Sequence, residues 1–207
     1  MSVSTYSELR SAIGDWLNRD DLTAVIPTFI DLAEAQINRD VRHYDMEQRA
    51  TATITGRFLD RPDDWVETLR ISVESNGQKD LTFASKATIA SKRAGSEDAT
   101  GIPQFYCHTD GGFEVYPTPD GSYQVTVLYY KSIPALSDEN TSNWLLVSHP
   151  DVYLYGSLIH TAGYLADDAR LATWAQLYSA AVSRVNQTSD DASWSGTGLK
   201  LKVSGLG

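Results

Sequence analysis

The sequence predicts an α+β fold in which two helical pairs flank an inserted β-rich module. Apolar residues recur at helical spacing in the first and last parts of the chain, and β-type alternation with turn dipeptides fills the middle. Residues 1–45 and 144–190 are predicted to pack as one four-helix bundle, because neither helical pair covers its own apolar stripe. Residues 46–143 are predicted to form an antiparallel β module, a small sandwich or partly closed barrel. Residues 191–207 are predicted to form an extended C-terminal arm.

The first helical pair is predicted over residues 5–43. Ser4 or Thr5 caps its first helix, and Pro27 takes an early position in its second helix, where a missing N–H costs nothing. Each helix carries one apolar stripe with a 3.6-residue repeat. The stripes are Tyr6, Leu9, Ile13, Trp16 and Leu17 in the first helix, and Ile26, Ile30, Ala33, Ile37 and Val41 in the second.

The middle of the chain alternates with a period near two. Strands are predicted at 48–54, 65–73, 104–109, 113–116 and 123–131, with a turn at 60–64. Asn76-Gly77 predicts a hairpin that joins 69–74 to 79–83, because this dipeptide suits the turn of a two-residue loop. A short helix is predicted at 85–93, with Ser85 as its cap and Gly95 after its end.

Two further helices are predicted after residue 148. The first runs from His149 to about residue 165, and the second starts at Asp167-Asp168; from Asn186 the chain reads as a polar tail. Their stripes are Val152, Tyr155, Ile159 and Ala162, and then Leu171, Trp174, Tyr178, Ala181 and Val185.

The polar tail contains one strand-like pattern. Leu199, Leu201 and Val203 alternate with Lys200, Lys202 and Ser204. A lone strand is unstable in water, but it can add to the sheet of a partner or lie in a groove between subunits. We predict a partner-docking arm formed by Leu199, Lys200, Leu201, Lys202 and Val203, with a disordered terminus as the alternative.

Composition excludes several classes of protein. The formal charge is −10, with 17 basic against 27 acidic residues, which disfavours nucleic-acid binding as the main function. No apolar run approaches the roughly 20 residues that span a bilayer, and no secretory signal is recognisable, so we expect no membrane association. Cys107 is the single cysteine, which excludes an intrachain disulfide and fits a reducing compartment.

No catalytic, cofactor-binding or metal-binding residue is predicted. The four histidines (His43, His108, His149 and His160) lack metal-ligand spacing, and nucleophile-elbow and phosphate-loop motifs are absent. Cys107 and His108 are neighbours in a strand and therefore point to opposite faces. The acidic pairs at 20–21, 63–64, 167–168 and 190–191 are interpreted as turns or helix caps. The tyrosines at 106, 116, 123, 129 and 130 are interpreted mainly as packing residues, with an interface or a ligand platform left open.

Several segments resemble the head-to-tail adaptors of tailed bacteriophages. These are Tyr6-Ser7-Glu8-Leu9, Trp16-Leu17-Asn18-Arg19, Ile26-Pro27, Ala33-Glu34, Ile37-Asn38-Arg39, and the Tyr-x-Tyr-Gly-Ser-Leu segment at 153–158. The β-rich middle and the Ala/Trp/Tyr-rich last helix are also similar to that family. The matching segments are packing motifs and not catalytic motifs.

The resemblance implies a structural virion protein without enzymatic activity. It implies a ring of identical subunits, usually twelve, that attaches to the portal protein in the virion neck and is assembled in the host cytoplasm. It further implies a C-terminal arm that grips the portal, attachment of downstream tail or nozzle proteins, and an axial channel through which DNA passes without specific binding. Acidic side chains along such a channel would repel the phosphates.

Two other functions remain open at this point. The β module could bind carbohydrate or a receptor through exposed aromatic side chains while the helices form the oligomer. A hydrolase acting through dispersed carboxylates ranks last, because no acid–base pair is recognisable.

Overall fold

The computed structural model describes residues 3–96, 99–164 and 169–194. The chain divides into two compact units, a helical unit (Met1–Asp45 with Ile133–Gly207) and a β unit (Met46–Ser132). The predicted α+β class is confirmed, with six α-helices and eight strands among the described residues. The segment 133–143, assigned to the β module from the sequence, groups with the helical unit.

Five helices build the helical unit. They are α1 (Tyr6–Leu17), α2 (Ile26–Asp40), α4 (Trp144–Ser148), α5 (Pro150–Ile159) and α6 (Arg170–Trp194). A capping box starts α1: the Glu8 backbone N–H donates to Thr5 Oγ1 at 3.3 Å, and the Thr5 backbone N–H donates to Glu8 Oε2 at 3.0 Å. Asn18 ends α1 in the left-handed conformation, with φ 53°.

The predicted stripe of α1 is correct except at Trp16. Tyr6, Leu9, Ile13 and Leu17 are buried, whereas Trp16 is 44% exposed. The helical period places Trp16 at the margin of the buried face, where part of its ring meets solvent. All five predicted stripe residues of the second helix, Ile26, Ile30, Ala33, Ile37 and Val41, are buried.

Helix α5 contacts α1, α2, α4 and α6. The prediction of a helix to residue 165 with a single stripe is wrong: α5 ends at Ile159, and a 3-10 turn follows (His160–Gly163). Its buried residues are Val152, Tyr153, Gly156, Ser157 and Leu158. A Cβ at Gly156 would lie 3.2 Å from the Tyr178 ring and 3.4 Å from the Ala33 Cβ, so glycine permits the close approach of the neighbouring helices.

Helix α6 is longer than predicted. Trp174, Tyr178, Ala181 and Val185 are buried as expected, but the helix continues to Trp194. Residues 186–194, which the sequence indicates as tail, are therefore helical. The remaining residues of the predicted arm, including Leu199, Lys200, Leu201, Lys202 and Val203, lie outside the described residues.

Two four-stranded sheets build the β unit, which is not a closed barrel. The first contains β1 (Glu47–Ile54), β8 (Tyr123–Lys131), β3 (Trp65–Glu74) and β4 (Gln78–Asp80), in the order β1-β8-β3-β4. The second contains β2 (Phe58–Asp60), β7 (Gly112–Tyr116), β6 (Phe105–His108) and β5 (Thr82–Phe83), in the order β2-β7-β6-β5. Only the β5–β6 pair is parallel among these strands.

The hairpin at Asn76-Gly77 is confirmed, but its second strand is shorter than predicted. Asn76 and Gly77 both have positive φ, at 50° and 107°. The predicted strand 79–83 divides at Leu81, which is buried and donates its N–H to the Ile71 carbonyl at 2.8 Å. Beyond Leu81 the chain joins the second sheet as β5, so one predicted strand supplies two sheets.

The two sheets share one hydrophobic core. The first sheet contributes Ile54, Ile71, Val73, Val125, Val127 and Tyr129, and the second contributes Leu59, Tyr106, Phe113 and Val115. Helix α3 (Lys86–Gly95) starts where predicted, with Ser85 Oγ accepting from the Thr88 N–H at 3.1 Å. Gly112 is required for β2 to approach β7, because a Cβ there would lie 2.3 Å from the Leu59 carbonyl oxygen.

Candidate interface surfaces

His43 and His149 lie near each other, with ring centroids 6.4 Å apart, and the other titratable residues singled out from the sequence are dispersed. His43 is buried and stacks on the Trp144 ring with centroids 4.9 Å apart, and the Asp45 N–H donates to its Nδ1 at 3.3 Å. Burial lowers the pKa of His43, with the Asp45 carboxylate acting in the opposite direction. His149 separates α4 from α5, as predicted for a residue at a helix start.

The other candidate side chains also belong to packed surroundings. Cys107 is 1% exposed, and burial raises the pKa of its thiol, which makes it a poor nucleophile. His108 lies 5.5 Å from the Trp65 and Phe83 rings, and burial lowers its pKa. His160 caps the end of α5, and burial likewise lowers its pKa.

The acidic pairs are scattered over different elements. Residues 20–21 open a 3-10 turn, and 63–64 form the turn before β3. Residues 190–191 lie inside α6, so their interpretation as a turn or cap is wrong, while 167–168 lie outside the described residues. Among residues 3–96, 99–164 and 169–194, no three His, Cys, Asp or Glu side chains converge to hold a metal ion.

A surface cavity of about 390 Å³ lies beside α1 and is lined in part by Arg10, Arg19 and Asp15. Arg19 already forms a salt bridge with Asp21 at 2.6 Å, and Arg10 lies 3.7 Å from Asp138. Because carboxylates accompany both guanidinium groups, this cavity does not concentrate positive charge for an anionic ligand.

The tyrosines of the β unit do not form one exposed platform. Tyr106 and Tyr129 are 7% and 3% exposed, and Tyr116, Tyr123 and Tyr130 are half-buried. Burial and a hydrogen bond to Asp64 raise the pKa of Tyr129 to about 12. Phe58 on β2 and Phe83 on β5 are instead the most exposed aromatic side chains, at 60% and 57%, and they lie on opposite edges of the second sheet.

The helical unit presents one surface that combines aromatic rings with an arginine. The Trp16 ring lies edge-on to Tyr155 with centroids 5.7 Å apart, and Arg170 donates to the Trp16 carbonyl at 3.1 Å. The Arg170 guanidinium also lies 5.0 Å from the centre of the Trp174 ring. Trp, Tyr and Arg are the residue types that dominate binding energy at protein interfaces. Trp174 itself is buried beneath this arginine, and we call the more exposed Trp16, Tyr155 and Arg170 the aromatic–arginine surface.

Two polar residues on the buried side of α2 hold the segment 133–143. Glu34 Oε1 accepts from the Leu136 N–H at 2.7 Å, and Asn38 Oδ1 accepts from the Ile133 N–H at 2.8 Å. Tyr153 donates to the same Glu34 oxygen at 3.4 Å. Burial is the main cause that raises the pKa of Glu34 to about 7. This role is not among those predicted from the sequence, although a Glu and an Asn four residues apart on an otherwise apolar face are its signal.

The last turns of α6 hold the end of α2. Asn186 accepts from the Arg42 N–H at 2.8 Å through Oδ1 and donates to the Asp40 carbonyl at 3.0 Å through Nδ2. Ser189 Oγ accepts from the Tyr44 N–H at 3.0 Å. These bonds satisfy backbone groups where α2 has ended, and they explain why a polar sequence continues as helix.

In the β unit, α3 is fixed by a partly buried ion cluster. The Arg93 and Arg57 side chains both donate to Glu114 Oε1 at 2.9 Å, and Arg93 also donates to the Val115 carbonyl at 2.7 Å. Burial alone would raise the pKa of Glu114, but the hydrogen bonds from the two arginines outweigh it and lower the pKa. The cluster is structural, since every charge in it has a partner.

The comparison with known families decides the class of the protein. A family model described as SU10 adaptor protein matches residues 4–200, which span both units. The chain belongs to this family. The resemblance to phage head-to-tail adaptors is thereby confirmed, and the family makes the chain a structural adaptor protein of a phage virion. No curated protein matches the chain.

The family assignment agrees with a protein whose functional surfaces are interfaces. None of the helices in the described part of the chain is long and apolar enough to cross a membrane. The aromatic–arginine surface and the exposed strand edges of the β unit are the candidate contact regions of this adaptor family member.

Proposed function

We propose that this protein forms a ring of identical subunits, twelve in number, that joins the portal protein to the tail. The ring lies in the virion neck, surrounds the DNA channel and is assembled in the host cytoplasm. Downstream tail or nozzle proteins attach to it. The observation that carries the proposal is the match to an adaptor family over residues 4–200.

In this proposal the helical unit acts as a four-helix bundle that supplies the ring contacts. α1, α2, α5 and α6 are its members, and the aromatic–arginine surface is its main contact with other subunits. A Trp that is 44% exposed beside an arginine gives a contact of this kind a large apolar area and a charged, hydrogen-bonding rim. The predicted arm beyond the end of α6, with Leu199, Lys200, Leu201, Lys202 and Val203, docks on a partner within the assembly.

The proposed channel passes DNA without specific binding. Each subunit contributes a formal charge of −10, so that twelve copies place about −120 on the ring. Over roughly 8 Å at physiological salt, only carboxylates that face the channel act on the duplex. The protein has no enzymatic role in this proposal. Support comes from the buried thiol of Cys107, whose pKa is raised by burial.

Sedimentation of the purified chain with and without portal protein tests the proposal. The isolated chain is expected to sediment mainly as monomer or weak oligomer, and to co-sediment as a ring when portal is added. A portal from which the neck-binding region is deleted is the control. A chain that remains monomeric with intact portal in every buffer would exclude the adaptor ring.

A further inference from the structure

The four edges of the two sheets differ greatly in length. The edge strands β2 and β4 have three residues each, and β5 has two. The fourth edge strand, β1, has eight residues and pairs with β8 in an uninterrupted register from Glu47↔Tyr130 to Ile54↔Tyr123. Short strands, bulges and prolines are the usual means by which proteins protect sheet edges. β1 is not short and contains neither a bulge nor a proline, so it is the one long, regular edge among the described strands.

The backbone groups of β1 that face away from the sheet can be assigned from the register. The Ile71 carbonyl accepts from Leu81, so the Ile71 backbone faces β4 and not β8. Ile71 is opposite Val127, so the Val127 backbone groups also face away from this pair and point towards β1. Val127 is opposite Ala50, so the backbone groups of Val127 and Ala50 face each other. The odd-numbered residues of β1, Thr51 among them, therefore direct their N–H and C=O groups outward.

The side chains of β1 add an apolar margin to this edge. Ala50 packs against the core of the sandwich but is only half-buried, and Ala52 on the same face is exposed. Because both side chains are small, they shield the core from solvent only partly at the β1 edge. A further strand beside β1 would cover it if every second side chain of that strand were apolar.

We propose that β1 receives the C-terminal segment 199–204 of an adjacent copy of this chain as an added strand. The segment has the required alternation: Leu199, Leu201 and Val203 would continue the core face beside Ala50 and Ala52, and the lysines would lie on the outer face. Glu47 is on that outer face and is exposed, so it can pair with a lysine. A contact of one subunit's edge with another subunit's tail is heterologous, and such contacts form a ring when the rotation between neighbouring subunits closes. This inference rests on the proposed ring.

Cross-linking between two differently marked chains tests the inference directly. Full-length Thr51→Cys chains with a size tag and untagged Lys202→Cys chains are mixed, assembled on portal and treated with a short bis-maleimide. A mixed dimer must join two copies, and native Cys107 contributes little background because it is 1% exposed. Lys79→Cys, on the exposed short edge β4 of the same sheet, replaces Thr51→Cys in the control.

The Thr51 chain is expected to give mixed dimers in about tenfold or greater excess over the Lys79 control. Equal yields at the two positions, or capture of Lys202→Cys by portal instead, would overturn the inference and leave the proposed ring intact. If the wild-type chain fails to assemble on portal, the proposed function itself has failed.

A backbone variant gives an independent readout. Thr51→Pro removes an outward N–H that does not pair with β8, and Thr51→Val keeps it. Loss of one hydrogen bond per contact is expected to weaken ring association by about tenfold in the proline variant only. Unchanged association in a proline variant that melts normally by circular dichroism would contradict the added strand. If that variant does not fold, the cross-linking result decides.

Discussion

A single buried carboxylate, Glu34, connects α2 to the segment that returns from the β unit. Its side chain is 7% exposed and accepts hydrogen bonds from the Leu136 N–H and the Tyr153 hydroxyl. A carboxylate in this position loses hydration that two hydrogen bonds only partly replace, and burial therefore raises its pKa to about 7. Glu34 is thus a residue whose charge changes near neutral pH.

Replacing Glu34 by Gln is expected to flatten the pH dependence of stability. The folded chain binds the Glu34 proton more tightly than the unfolded chain, whose pKa is near 4.5. The stabilisation is therefore complete below about pH 4.5 and is lost as pH rises to about 7. Gln keeps an acceptor for Leu136 without the charge, so Glu34→Gln should be about 1–3 kcal/mol more stable than wild type at pH ~8.

Urea denaturation at several pH values measures this difference. Glu139→Gln is the matched control, because Glu139 is exposed and the same charge is removed. Parallel stability curves for wild type and Glu34→Gln between pH ~4.5 and ~7 would show that Glu34 does not titrate in this range.

At the scale of single residues, the sequence predicts the burial of apolar residues better than that of polar residues. Helical periodicity correctly assigns Ile13 and Ile37 to the core, because apolar residues at helical spacing form the buried face of a helix. It cannot assign Glu34, whose partners come from a segment about one hundred residues away. Its spacing also places Trp16 on the stripe, but Trp16 lies at the margin of the buried face and is 44% exposed.

Among the elements, the last turns of α6 have the clearest effect on packing. Asn186 and Ser189 bond to backbone groups between Asp40 and Tyr44, at and beyond the end of α2. Asn186→Ala removes two of these hydrogen bonds and should lower the free energy of unfolding by about 1–3 kcal/mol.

Chemical denaturation measures this loss, with Thr188→Ala as the control. Thr188 is exposed on the same helix and bonds only to the carbonyl of Arg184 among the contacts described. A loss no greater in Asn186→Ala than in Thr188→Ala would mean that the side-chain contacts of α6 do not stabilise the end of α2.

Long elements were predictable from the sequence, and short elements were not. The strand at 123–131 and the hairpin turn at Asn76-Gly77 agree with the structure, since nine alternating residues or a turn dipeptide give a clear signal. β2 and β5 have three and two residues, too few to show a period. The polar end of α6 reads as tail because its partners are backbone groups of a distant segment.

For the whole molecule, a substitution in the aromatic–arginine surface is expected to affect ring assembly more than the stability of the subunit. Trp16→Ala removes an aromatic ring that is 44% exposed, so the melting temperature of the isolated subunit should fall less than after truncation of a fully buried aromatic residue. Ring association on portal is expected to fall by about tenfold or more, because an exposed Trp beside an arginine has the composition of an interface hot spot.

Sedimentation on portal compares this variant with Leu32→Ala. Leu32 is similarly exposed, at 46%, and is expected to have the smaller effect because it lies outside the aromatic–arginine surface. If both variants assemble as well as wild type, that surface does not contribute to the ring.

The order of helical and β-rich regions along the chain was predictable, as was the family. Helical and β-type periods occupy separate stretches of the sequence, so the α+β class follows from pattern alone. The interface surfaces were not predictable, because exposure of Trp16 or of the β1 edge depends on which neighbours the fold supplies. The β1 edge in particular required the register of all four strands in its sheet.

The strand pairing also has an evolutionary consequence. The chain enters the β unit at β1 and leaves it at β8, and Glu47 lies directly opposite Tyr130. Opposed residues in an antiparallel pair have Cα atoms only about 4.5–5.5 Å apart. The segment between them therefore begins and ends at nearly the same point. A gene could gain, lose or exchange this whole segment without changing the distance that the helical unit must bridge. A chain in which a short glycine turn replaces residues 47–130 is expected to retain a folded, helical remainder.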